Sequence, residues 1–305
     1  MTPDISVIIP HLNQPAALAR LLTSLRAQEP GDIPFEIIVA DNGSRTPLPA
    51  AIIAQPGLNV VSETIPGPGP ARNTGVFAAR GKILAFTDCD CIVDPGWIAV
   101  IARHFASPDA APVIGGEISI ALRSATPDAI EAYESIYGYR QRLYIARDLY
   151  AASCNLAMRR SAFDRVGGFG GLYMAEDRDW GVRAHALGIS HELVPDMRIS
   201  TSARKNFAEL ARKWDRQVSH EYHFVSSPAG RVRWLLRAFA VAASPLAELP
   251  LVARSARVSG LRARLSAFGV LGRIRLHRAR RMLQIALGGD HNALAAGWRN
   301  DEAAK

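Results

Sequence analysis

Residues 82–90 read Lys82-Ile83-Leu84-Ala85-Phe86-Thr87-Asp88-Cys89-Asp90, an apolar run that stops at two carboxylates. A run this short suits a buried strand better than a helix. Carboxylates at i and i+2 in the turn leaving a strand can point to one side and share a hard cation such as Mg2+ or Mn2+. Two acids are too few for an all-protein cage, so a phosphorylated ligand and water would complete the shell. Asp is also common in turns, and the triplet by itself stays open to that plainer reading. Residues 5–9 (ISVII), 35–40 (FEIIVA) and 59–61 read as further strands. A helix is predicted over 16–28, with Leu18, Leu21, Leu22 and Leu25 on one face, and another over 71–80. Asp94-Pro95 predicts a further helix start, with Pro95 at the first position. This alternation predicts an α/β layer with a mostly parallel sheet.

Beyond residue 110 the pattern loosens. It predicts a helix over 127–147, a strand at 152–158, a helix over 176–187, short strands at 191–194 and 197–201, and a helix over 207–224. Ser226-Ser227-Pro228-Ala229-Gly230 reads as a boundary, followed by Arg-rich helices over 231–243 and 260–287. The expected organisation is therefore a catalytic domain over 1–228 and a basic helical extension over 229–305.

The charge supports that division. The 305 residues carry a net charge of +8, yet 229–305 holds 14 of the 36 Lys and Arg and 4 of the 28 Asp and Glu. The extension is thus +10 and the first 228 residues are −2. With 49% hydrophobic and 21% charged residues, the composition excludes a disordered chain. Cys89, Cys91 and Cys154 cannot build a disulfide framework, which points to a reducing compartment. The first residues lack the basic region of a secretory signal, and the most apolar stretch, 234–253, is interrupted by Arg237, Pro245, Glu248 and Pro250. A cytoplasmic protein without a membrane span is expected, with attachment to the inner membrane leaflet left open.

Ligands of an open α/β sheet collect beyond the carboxyl ends of its strands. Those ends carry His11-Leu12-Asn13, Asp41-Asn42-Gly43-Ser44, Gly67-Pro68-Gly69-Pro70-Ala71-Arg72-Asn73 and Asp88-Cys89-Asp90. The 67–73 segment places glycines and a cation at a helix start, which suits a diphosphate. It is not a dinucleotide fingerprint, because Arg72 stands where the third glycine belongs. A nicotinamide dehydrogenase is disfavoured.

With these motifs in order the sequence resembles family 2 glycosyltransferases, inverting enzymes with the GT-A fold: a Rossmann-like mixed sheet flanked by helices. The resemblance rests on Ser6-Val7-Ile8-Ile9-Pro10 with Asn13, Glu36-Ile37-Ile38-Val39 with Asp41, Gly69-Pro70-Ala71-Arg72-Asn73 with Gly75, and Phe86-Thr87-Asp88-Cys89-Asp90-Cys91. It continues through Ser153-Cys154-Asn155-Leu156-Ala157, Val166-Gly167-Gly168-Phe169 and Glu176-Asp177-Arg178-Asp179-Trp180 with Arg183, and covers about residues 4–225. It implies a nucleotide-diphosphate sugar donor, a glycan or lipid-linked acceptor, and Mn2+ or Mg2+ at Asp88 and Asp90. Asp41 is implied at the nucleotide base, Arg72 and Asn73 near the diphosphate and ribose, and Pro10, Asn13 and Cys89 in the donor pocket. Asp177, paired with Glu176, is implied as the catalytic base. Its pKa is expected to rise beside Glu176. Without the resemblance, charge compensation at a helix start is the favoured reading of the pair.

One departure stands out. Relatives place a metal-ligand His after the strand that follows the Glu-Asp helix, whereas 197–204 contains none. Arg204 or Lys205 is the expected diphosphate contact there, and His185 and His191 are expected to pack or face solvent. In the extension, Leu261, Leu265, Phe268, Leu271, Ile274, Met282 and Ile285 approximate one stripe, with Arg262, Arg264, Arg273, Arg280 and Arg281 mostly off it. That pattern fits an interfacial helix on anionic lipid or a helical cover with a solvated basic face. Nucleic acid is not an expected partner, for want of a binding motif. A nucleotidyltransferase, or a non-catalytic nucleotide-sugar-binding assembly subunit, are the rival functions.

Overall fold

The computed structural model describes residues 3–29, 32–223 and 225–290. The described residues fold as two units, one of those up to 119 together with 140–201, the other of 120–139 together with those from 202 to 290. The sequence boundary at 228/229 falls inside the second unit.

In chain order the first unit begins with β1 (Ile5–His11), α1 (Pro15–Arg26), β2 (Phe35–Asp41), α2 (Ala50–Ile53) and β3 (Leu58–Ser62). There follow α3 (Pro68–Ala78), β4 (Ile83–Thr87), β5 (Cys91–Val93), α4 (Trp97–Phe105) and β6 (Val113–Ala121). The second unit supplies α5 (Ala129–Tyr137). The first resumes with α6 (Gln141–Leu143), a π-helical turn (Tyr144–Asp148), β7 (Asn155–Arg159), α7 (Arg160–Val166), α8 (Glu176–Ala186) and β8 (His191–Ser202). The rest is helical: α9 (Phe207–Tyr222), α10 (Pro228–Ala243), a 3-10 turn (Ser244–Glu248), α11 (Leu249–Arg254) and α12 (Leu261–Ala286).

Among the described residues the sheet has eight strands in the order β3-β2-β1-β4-β7-β6-β8-β5. β1 is parallel to β2 and β4, and β2 is parallel to β3. β7 then runs antiparallel to both β4 and β6, and β5 antiparallel to β8. The mixed sheet of the expected fold class is present, with parallel pairing joining β3, β2, β1 and β4. Ile8, Ile38, Leu84, Phe86, Val113, Leu156 and Trp180 fill the core on this sheet. Each such side chain contributes roughly 1.5–3 kcal/mol by leaving water.

Several elements differ from the sequence reading. The helix expected at Asp94-Pro95 starts at Trp97, because the Trp97 N–H bonds the Asp94 carbonyl and closes a turn first. The helix expected over 127–147 is capped by Asp128, which accepts from Ile130 and Glu131, and it ends at Tyr137. The strands expected at 191–194 and 197–201 are one strand that passes through Pro195. β6 is absent from the sequence reading, which finds a loosened pattern beyond residue 110; the strand contains Gly115-Gly116. A Cβ on Gly116 would lie 1.9 Å from the Met197 carbonyl, so glycine there lets the backbones approach.

In the second unit, Leu271, Ile274, Met282 and Ile285 of the α12 stripe are buried, so the stripe is mainly core. α10 packs on it through Trp234, Ala238 and Val241 against Ala279, Met282 and Ile285, and the Trp234 indole donates to the Met282 carbonyl at 3.0 Å. The residues expected to interrupt 234–253 do not. Pro245 and Pro250 sit in the first turns of the 3-10 turn and α11, where an N–H is not needed. The resulting run Pro228–Arg254 is long and apolar enough to cross a membrane by length and composition, which corrects the expectation of no such stretch.

Candidate active site

The polar residues at the carboxyl ends of β1, β2 and β4 meet the starts of α3 and α8. Parallel pairing sets His11 opposite Asp41. His11 Nε2 accepts the Gln14 N–H at 3.1 Å, which leaves the ring proton on Nδ1 to donate to Asp41 Oδ1 at 2.8 Å. Ser44 adds its hydroxyl at 2.5 Å and its N–H at 3.1 Å. Burial would raise the Asp41 pKa, but these hydrogen bonds outweigh it and hold the group below its ordinary value. Asp41 is therefore a fixed carboxylate, 22% exposed, able to accept from a ligand. Asn13, at a positive φ of 54°, caps the same loop by accepting the Arg45 N–H at 2.8 Å, with Pro10 just before it on β1.

Arg72 joins the next two groups. Its buried guanidinium donates to Asp88 Oδ1 at 2.6 Å and to Glu176 Oε1 at 2.8 Å, tying the end of β4 to the start of α8. Burial alone would favour losing its proton, but Asp88 and Glu176 hold the charge in place. Asn73 uses both ends of its amide on Phe169, donating to the carbonyl at 2.9 Å and accepting the N–H at 2.8 Å. Gly69 is required for the same docking, since a Cβ there would lie 1.9 Å from the Gly170 carbonyl oxygen. The arginine and the asparagine of the motif thus hold the 167–176 segment against α3.

Asp88, Asp90, Glu176 and Asp177 form an anionic cluster. The Asp88 pKa is raised by burial and then by Asp90 and Glu176, with Arg72 opposing. Asp177 is pushed up to about 7, first by burial and second by the Glu176 charge, against the Arg178 N–H that it accepts at 2.7 Å. The expected rise is present, and burial leads it. Cys89 is buried within the turn, and Cys154 shares a hydrogen bond with buried Cys91.

Sequence reasoning missed three supports. Asn155, fully buried, accepts the Trp97 indole N–H at 2.9 Å and donates to the carbonyls of Glu117 and Met197 at 2.9 and 2.8 Å. Tyr144 and Tyr150 stack with centroids 5.0 Å apart, and the Asp177 charge helps raise both phenols after burial. His11 and Ser44 are visible as strand-end residues, but their grip on Asp41 follows only from the β1–β2 register. Arg204 lies in the second unit, where its N–H and guanidinium bind the buried Glu134. His191 packs edge-on against Trp180, and burial lowers its pKa to about 4.

A family model described as Glycosyl transferase family 2 matches residues 6–167, more than half of the chain. The chain belongs to glycosyltransferase family 2. Within the family, the pre-mycofactocin glycosyltransferase of Mycobacterium tuberculosis is 30% identical over 187 residues, 58% of this chain and 38% of that protein. The match therefore spans well under half the length of that relative. Glycosyltransferase AglE of Haloferax volcanii is 28% identical over 217 residues, 69% of this chain and 70% of its own. The mannosyltransferase PcManGT of Pyrobaculum calidifontis, solved with GDP-Man and Mn2+, superposes with a TM-score of 0.56 at 18% identity, covering 99% of this chain and 85% of that one. S. aureus TarS 1–349 in complex with UDP gives 0.52 at 18% identity, covering 94% and 92%. These neighbours establish a GT-A fold for this family 2 chain.

Proposed function

We propose that the chain transfers a sugar from a nucleotide-diphosphate donor to a glycan or lipid-linked acceptor, with inversion at the anomeric carbon. The observation that carries this is the anionic cluster of Asp88, Asp90, Glu176 and Asp177, bridged by Arg72 at the carboxyl ends of the strands. Asp41, kept ionised by His11 and Ser44, can accept a ring N–H of the nucleotide base. GDP-Man and UDP, the nucleotides bound in the solved neighbours, agree with such a base.

The residues present fit a divalent cation. Asp88 and Asp90 offer hard carboxylate oxygens, and among the described residues no set of three or more His, Cys, Asp and Glu is grouped to hold a metal, so donor phosphates and water would complete the shell. Mn2+ or Mg2+ bound there would stabilise the charge on the leaving diphosphate. Asp177 takes the proton from the acceptor hydroxyl as that oxygen bonds to the anomeric carbon. The bond from that carbon to the diphosphate oxygen breaks on the opposite face, which inverts the centre. A carboxyl with a pKa of about 7 is well matched to this proton transfer near neutral pH. Arg72 keeps Glu176, and with it the start of α8, beside Asp88, so the base and the phosphate site hold their spacing.

The test is thermal shift against a panel of nucleotide sugars, each with and without Mn2+ or Mg2+. One nucleotide sugar is expected to raise the melting temperature in a metal-dependent way. Absence of stabilisation by every sugar nucleotide under every metal condition refutes the reading. Metal-dependent release of pyrophosphate from a nucleoside triphosphate would support the nucleotidyltransferase instead.

A further inference from the structure

Helix α10 is apolar on two opposite sides. Trp234, Ala238 and Val241 are buried against α12. Val232, Leu236 and Phe239 stand on the other side at i, i+4 and i+7, with exposures of 57%, 65% and 65%. Leu246, 72% exposed, continues the apolar surface into the 3-10 turn, and Leu249 and Leu251 extend it into α11. Across 228–254 every exposed side chain is apolar or an arginine, namely Arg231, Arg233, Arg237 and Arg254. The acid within the run, Glu248, is half-buried and bonded to Tyr137 at 3.3 Å and Arg275 at 3.5 Å. A helix that faces only water carries polar residues on its outer side, and this one carries none besides the arginines.

We infer that this face docks the chain on an anionic lipid bilayer, with 228–254 lying in the plane of the interface. The charge pattern selects the partner: arginines stand at both ends of the apolar surface, no exposed acid interrupts it, and 229–305 has a net charge of +10. Lying flat also agrees with the packing. A crossing segment would have to surround with lipid a helix whose Trp234, Ala238 and Val241 are already buried in protein, with its indole bonded to Met282. The sequence pattern of α12 suggests an interfacial helix, but Leu271, Ile274, Met282 and Ile285 of that stripe are core; Leu261 and Leu265 of α12 are exposed, while the apolar surface that runs unbroken by acids along one segment is that of α10 and α11.

The experiment is co-sedimentation of the full chain with vesicles of phosphatidylcholine, alone or mixed with phosphatidylglycerol. The wild type is expected to pellet with the anionic vesicles and to be released by salt. The Leu236→Glu/Phe239→Glu double variant should bind them more than about tenfold more weakly, since two large apolar contacts are lost. Both positions are exposed, so circular dichroism should match the wild type. Arg231→Glu/Arg233→Glu should weaken binding to anionic vesicles in the same direction. Equal binding by the Leu236→Glu/Phe239→Glu variant overturns the inference. So does a wild-type dimer that this variant splits while neither protein binds vesicles, because the face then serves a second copy. Membrane insertion that resists alkaline carbonate also overturns it, because the run then crosses the bilayer.

Discussion

Replacing Asp177 with Asn should stabilise the protein above neutral pH while abolishing transfer. The Asp177 carboxyl is raised from an ordinary 3.8 to about 7, by burial and then by the Glu176 charge. Between those two values the folded form holds a proton that the unfolded chain has released. Stability therefore falls as pH rises across that window, and the whole deficit is present above about pH 7. The gap corresponds to about 4 kcal/mol, an upper value because water reaches part of the group. Asn carries no charge, and its amide oxygen can still accept the Arg178 N–H that Asp177 accepts at 2.7 Å. A net gain of about 2–4 kcal/mol at pH 8 is expected, or roughly 5–10 °C in melting temperature for a domain of this size.

The assay is thermal unfolding of wild type and Asp177→Asn in chelator from pH 4 to 8.5, so that the charges are those of the chain alone. The difference in melting temperature should be greatest at pH 8, shrink below pH 7 and nearly vanish at pH 4. The same group sets the rate: kcat/KM of the wild type should fall about tenfold per pH unit below about 7. A variant less stable than wild type at pH 8, or a difference that does not change with pH, would refute the argument.

Two other substitutions test the supports of the site. Arg72→Met leaves Asp88 and Glu176 without their shared cation; a loss of about 3–5 kcal/mol is expected in denaturant unfolding, with donor binding weakened. Asn155→Leu removes the acceptor of the Trp97 indole and the donor to two carbonyls; a loss of about 2–4 kcal/mol is expected from the polar groups left unpaired, visible as a lower melting temperature without a shift in the pH profile.

The parallel half of the sheet is legible because its strands are apolar runs of five to seven residues, Ile5–His11, Phe35–Asp41 and Ile83–Thr87 among them. Their ends must carry the polar residues, so Asp41, Asp88 and Asp90 could be found by position. The antiparallel half is not legible locally. β6 contains Gly115-Gly116, and what makes these glycines necessary lies far along the chain: the Met197 carbonyl approaches Gly116, and Ala151 and Gln141 crowd Gly115. Asn155 reads as one polar residue at a strand start, yet it joins α4, β6 and β8 through Trp97, Glu117 and Met197.

The same difference separates what a motif names from what its residues do. Arg72 and Asn73 sit where a diphosphate contact is implied, but their observed bonds go to Asp88, Glu176 and the Phe169 backbone. A guanidinium buried between two carboxylates is costly to withdraw, because leaving either acid uncompensated in a poorly hydrated site carries a penalty of several kcal/mol. Arg72 therefore acts as the strut that sets the distance between the Asp88–Asp90 turn and the Glu176–Asp177 helix start. In the proposed reaction, that distance separates the leaving diphosphate from the attacking hydroxyl. The pKa of Asp177 depends on the same arrangement, since Glu176 raises it and Arg72 lowers it. Loosening the strut would alter both the spacing and the basicity of the site, so Arg72→Met should change the pH dependence of transfer, whereas Asn155→Leu should change only its stability.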